Sequence, residues 1–161
     1  SGLLSPPRAC RHHLPSSTGP TMDIDDVIRE LRARNEPVPI PTRLPSAEEV
    51  EAAELRLGIP FPAAFRHYLL KASDVACGVV EPVTITLPGS HTDLFKVVDR
   101  AWNDFGVPRN LLPFCEDNAD FYCMNSDGEV VFWSHNGWPS QKWSNPADWT
   151  EQVWLNDLDG P

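Results

Sequence analysis

The chain has 161 residues, of which 41% are hydrophobic and 22% charged, and a formal net charge of −10. That length supports one domain with a full hydrophobic core, and the composition excludes a disordered or fibrous chain. No stretch approaches the roughly 18 consecutive apolar residues of a membrane helix, and an acidic field repels phosphate backbones and anionic lipid, so neither nucleic acid nor membrane is an expected partner.

The acidity lies beyond the first 21 residues. That opening segment carries Arg8 and Arg11 and no acid, which leaves 11 bases against 23 acids from Met22 onward. It is rich in Pro, Ser, His and Arg without apolar periodicity, so 1–21 reads as a leader outside the folded domain, with Met22 as the start; a basic organellar targeting peptide is the alternative. Cys10, Cys77, Cys115 and Cys123 form neither a CxxC pair nor a dense disulfide scaffold, so reduced thiols and a cytoplasmic location are expected.

From Asp23 to Arg34 acids stand at the front and arginines at the back, with Ile24, Val27, Ile28 and Leu31 at helical spacing, which predicts an amphipathic helix. Pro37, Pro39 and Pro41 then impose an extended connector. Ser46 and Glu49 fit a capping box for a second helix burying Val50, Ala53 and Leu57, ended by Gly58 and Pro60. Pro62 can open a third helix that turns Phe65, Tyr68 and Leu69 inward behind Phe61.

Beyond Ser73 the pattern changes. Val83, Ile85 and Leu87 alternate with threonines, predicting a strand over Glu81–Leu87. Asp93–Phe105 carries Leu94, Val97, Val98, Ala101 and Trp102 on one stripe, a short helix closed by Gly106. Leu111–Phe114, Phe121–Met124 and Val130–Trp133 are short aromatic and β-branched runs, with Asp127-Gly128 suited to a hairpin turn, so an antiparallel meander follows. Asn145-Pro146 supplies an N-cap and first-turn proline for a last helix carrying Trp149, Val153 and Trp154 to the core.

The run Leu57-Gly58-Ile59-Pro60-Phe61-Pro62, with Phe65 and Tyr68-Leu69-Leu70, resembles the opening motif of the SUKH superfamily, the Smi/Knr-type domains. Leu111-Leu112-Pro113-Phe114, then Asp117 to Cys123, then Gly128 to His135 are similar to the family's central strands in the same order, except that Ala119 stands where similar sequences often place Gly. The resemblance implies a single α+β domain, an antiparallel sheet of about five or six strands flanked by helices. The chain then divides into the leader 1–21, an N-terminal helix and Pro-rich connector 22–43, the SUKH-like domain 44–156 and a tail 157–161. It also implies an immunity protein that neutralises a cognate protein toxin by direct binding, the toxin being basic or directed at nucleic acid or nucleotides. The alternative is a regulatory scaffold of the Smi/Knr type, as in fungal cell-wall signalling.

Catalysis finds little support in the residues. Glu116 and Asp117 are adjacent carboxylates, and neighbours on a strand point to opposite faces, so they make a poor glycosidase pair. Cys115, Cys123 and His135 match no zinc spacing and lack an orienting third group for nucleophilic chemistry. Cys123 should share the core with Phe121, and His135 should end a strand. Hence no enzyme activity, metal or cofactor is expected. Asp117, Asn118 and Asp120 have two readings, as turn braces or as an acidic binding rim. The partner-binding candidates are Glu116, Asp117, Asn118, Asp120 and His135, with Trp138 and Trp143 as aromatic anchors in a polar loop.

Overall fold

The computed structural model describes residues 23–38, 42–136 and 141–158. The leader 1–21 and Trp138 lie outside them.

Three helices open the fold, each with an end set by local chemistry. Helix α1, Ile24–Ala33, starts at a capping box of two aspartates: Asp23 accepts the Asp26 backbone N–H at 2.8 Å and Asp26 accepts that of Asp23 at 3.3 Å. It buries Val27, Ile28 and Leu31. Helix α2, Ala47–Leu57, has the expected Ser46 and Glu49 box and ends at Gly58, whose φ of 70° is the left-handed conformation that glycine adopts without strain. Helix α3, Ala63–Ala72, buries Phe65, Leu69 and Ala72.

The strand expected over Glu81–Leu87 does not form. Pro82 and Thr84 make isolated bridges to Cys115 and Asp93 instead. Pro82 has no N–H to extend a ladder, and the Thr84 backbone is spent within its own loop, its N–H donating to Thr92 O at 2.9 Å and its carbonyl accepting from Leu94 N at 3.0 Å. Helix α4, Leu94–Asp99, follows, N-capped by Asp93 and prolonged by a wider π-helical turn, Arg100–Asp104.

Among the described residues the sheet is a four-stranded antiparallel meander in the order β1-β2-β3-β4, smaller than the five or six strands anticipated. Its strands are β1 Leu112–Asp117, β2 Asp120–Met124, β3 Val130–Trp133 and β4 Lys142–Trp143. All five β2 residues are buried, which requires cover on both faces because adjacent strand side chains point oppositely. Phe121 meets Phe105, just beyond the α4 helical segment, at 5.6 Å between ring centroids, and Tyr122 meets Trp149 at 5.1 Å.

The chain closes with α5, Pro146–Trp149, capped by Asn145, a π-helical stretch Thr150–Leu155, and the short α6, Asn156–Leu158. Trp149 contacts Phe114 from β1, Tyr122 from β2 and Trp154, with centroid distances of 4.8, 5.1 and 6.5 Å. Trp154 donates its indole N–H to Cys77 O at 3.0 Å, tying this last helical segment to the loop after α3.

Trp149→Ala should therefore cost about 3–5 kcal/mol, the range for removing a large buried aromatic; chemical denaturation measures it, and a loss below about 1 kcal/mol contradicts the packing described. A second test concerns α2. Arg43 holds both oxygens of Glu49 at 2.7 Å and, with the Ser46 backbone, brings that carboxyl from 4.5 down to about 2. A carboxyl pKa depressed by folding adds stability above its unfolded value and loses it as pH falls toward the folded one. The melting temperature of Glu49→Gln should lie below wild type at neutral pH and converge with it between pH 4.5 and about 2; parallel profiles across that window contradict the pairing.

Candidate functional site

Two residues, Asn118 and Ala119, join β1 to β2, and both have positive φ, 52° and 70°. A two-residue hairpin loop with two left-handed positions matches the twist of the flanking strands. Asn tolerates that conformation, whereas Ala strains there by about 1 kcal/mol.

The turn projects beside α4 and forms one wall of a groove of about 370 Å³, whose lining includes Glu81, His91, Lys96, Arg100, Glu116 and Asn118. Arg100 donates to Glu116 at 3.0 Å and lies 5.6 Å from the Phe105 ring centroid. Glu81 pairs with His91 across the loop. Exposed Val79 adds an apolar lip. The groove thus offers two carboxylates, each met by a basic group, with an amide and Lys96, whose ammonium donates to Gly89 O at 3.4 Å, beside them. Such a surface suits recognition of polar and charged side chains, since its acids are oriented by partners in place.

The other acidic candidates separate from this groove. Asp117 stands opposite Asp120 in the β1–β2 register and is not part of the groove lining. Asp120 is 3% exposed, which removes it from the binding rim. It accepts the His135 backbone N–H at 3.2 Å and lies 2.9 Å from His135 Nδ1, which is also 3.0 Å from Ala119 O. Both neighbours of that nitrogen are acceptors, so Nδ1 carries the proton. Asp120 and His135 therefore clamp the end of β3 to the hairpin turn, the bracing role weighed for these acids.

Trp143 is corrected from loop anchor to core residue: it is 3% exposed, pairs with Val130 from β4 and packs its ring 5.8 Å from Tyr122. Trp138 falls outside the described residues. The thiols of Cys115 and Cys123 are buried, and burial pushes the Cys123 pKa upward. Burial also raises Cys77 to about 11, while its thiol donates to Arg34 O at 3.3 Å.

Residue-by-residue reading missed Glu81, His91, Lys96 and Arg100. Lys96 and Arg100 carried a signal in their i,i+4 spacing, which places both bases on one helix face. Glu81 and His91 carried none, since only the closure of the 81–93 loop brings them to α4.

A helix-flanked antiparallel meander with this order of elements defines an α+β domain. A family model described as SMI1-KNR4 cell-wall matches residues 24–155, and the chain belongs to that family. The matched span includes α1 as well as the sheet. A crystal structure of a protein from Pseudomonas syringae pv. tomato is 44% identical, covering 82% of this chain and 98% of that one with a TM-score of 0.77. No curated protein matches the chain.

The turn geometry yields a prediction. Ala119→Gly should stabilise the fold by up to about 0.5 kcal/mol, the relief of left-handed strain less the added freedom of the unfolded glycine. Urea denaturation reads this directly, and destabilisation by the glycine contradicts the turn type.

Proposed function

We propose that the protein is an immunity protein that binds and neutralises a cognate protein toxin of basic character, acting by occupation and not by catalysis. The observation that carries this reading is how the charges are distributed. Arg29, Arg32, Arg34, Arg43, Arg66, Arg100 and Lys142 each sit in an ion pair with a carboxylate. Seven of the 11 bases from residue 22 onward are thus committed locally, and the uncompensated field is acidic. A field of one sign accelerates capture of an oppositely charged partner, and the groove beside the hairpin supplies oriented groups for its recognition.

Glu116 and Asn118 are the contacts this reading retains from the acidic turn, with Asp117 at its edge. Among the described residues no helix is long and apolar enough to cross a membrane, which agrees with interception in the cytoplasm. The words cell-wall in the family's description support a second reading, a regulatory scaffold with several partners of moderate affinity.

Co-expression with the toxin encoded beside it should restore growth, and the purified proteins should associate at a rate that falls by about tenfold as salt rises from about 0.05 to 0.5 M. Absence of both rescue and complex would sink the immunity reading. Several partners without a neighbouring toxin would favour the scaffold.

A further inference from the structure

Across α4 from the hairpin lies a second, shallower groove of about 540 Å³ whose charge runs against that of the molecule. Four bases among the described residues, Arg56, Lys71, Lys96 and Arg109, have no carboxylate partner, and Arg56, Lys96 and Arg109 all line this groove. The acids beside them are already occupied. Asp93 accepts the Phe95 and Gly89 backbone N–H groups at 3.2 and 2.9 Å, and Asp99 accepts from the Asn103 amide at 2.6 Å.

Two of these bases lie over half-buried aromatic rings. The Arg56 guanidinium carbon lies 3.8 Å from the Phe95 ring centroid, and that of Arg109 lies 5.4 Å from Trp102. Trp102 is itself fixed by its indole N–H, which donates to Leu111 O at 2.9 Å. Packing against a ring restrains a guanidinium and leaves N–H donors at its edge, which suits forked recognition of a carboxylate. Paired aromatic and arginine side chains are also the composition of energetically dominant interface residues.

We propose that this groove, formed by Arg56, Phe95, Lys96, Trp102 and Arg109, docks an acidic segment of a partner protein. Charge complementarity selects the occupant: the groove gathers cations that no carboxylate neutralises, Arg109 donating only to the Asn103 side-chain oxygen at 2.6 Å and Lys96 only to Gly89 O at 3.4 Å. A long polyanion such as nucleic acid would meet the repulsion of a chain whose net charge is −10, whereas a short acidic segment need engage only this patch. The proposal does not rest on toxin capture at the hairpin groove, with which this groove shares only Lys96.

Fluorescence anisotropy of a labelled oligo-glutamate peptide tests it, using the intact chain. Saturable binding at low salt is expected. Arg56→Glu combined with Arg109→Glu should weaken it by at least about tenfold, while Lys71→Glu, which removes the unpaired base outside the groove, should change it by less than about twofold. Arg56→Gln with Arg109→Gln should fall between, which separates lost recognition from newly introduced repulsion. Equal losses from Lys71→Glu, absence of saturable binding, or tighter binding of an RNA oligonucleotide of equal charge would each overturn the assignment. Self-association of the wild type that the double glutamate variant abolishes would make a second copy the occupant and overturn it as well.

Discussion

Trp149 joins the parts of this fold that are far apart in the chain. Its indole packs edge-on to Phe114 and Tyr122 and meets Trp154, so one side chain from the last helical segment rests on the first two strands. Phe114 continues this contact to Phe65 on α3, at 6.4 Å. Among the described residues the sheet has four strands and its fourth has two residues, so the meander depends on this aromatic cover for much of its burial. The helices depend on it equally, because each buries one face and needs a common surface to bury it against.

The same arrangement positions the groove. β1 is held from behind by the Phe114 and Trp149 contact, and its far end is held by the left-handed turn and the Asp120 and His135 clamp. Glu116 therefore projects from a braced strand, and Arg100 reaches it from the π-helical turn that follows α4. A rigid strand end beside a helix presents charged side chains at less entropic cost than a free loop would, which is an advantage for recognition. The hairpin and the α4 helix thus act together as the platform for the first groove, and α4 also lines the second.

Helices were legible where their signals are local. Ser46 with Glu49, Gly58 and the Asn145-Pro146 pair act within one turn of the residues they cap, and all three work as their spacing implies. The hairpin runs were legible for the same reason. The supposed strand over Glu81–Leu87 was misread because alternation reports a preference for extended backbone, whereas pairing depends on which remote partner is available. Here Thr84 found Thr92 and Leu94 within its own loop. Of the site, Glu116 and Asn118 were legible from the turn chemistry, as was bracing as one reading of Asp120, while the burial of Asp120 and of Trp143 was not. Both are polar-loop residues by neighbourhood and buried residues by tertiary contact, one through His135 and the other through Tyr122.

Two surfaces on one small domain, one of paired charges and one cationic, connect the structure to its proposed role. The acidic field and the hairpin groove suit capture of a basic toxin, and the cationic aromatic groove stands on a different wall of α4. Hydrogen–deuterium exchange on a complex with the proposed cognate toxin tests the central reading most directly. Protection on binding should concentrate in peptides covering 79–100 and 112–120, which carry Glu81, Arg100, Glu116 and Asn118. A complex that leaves those peptides unchanged while protecting α1 and α5 would contradict the assignment of the hairpin groove.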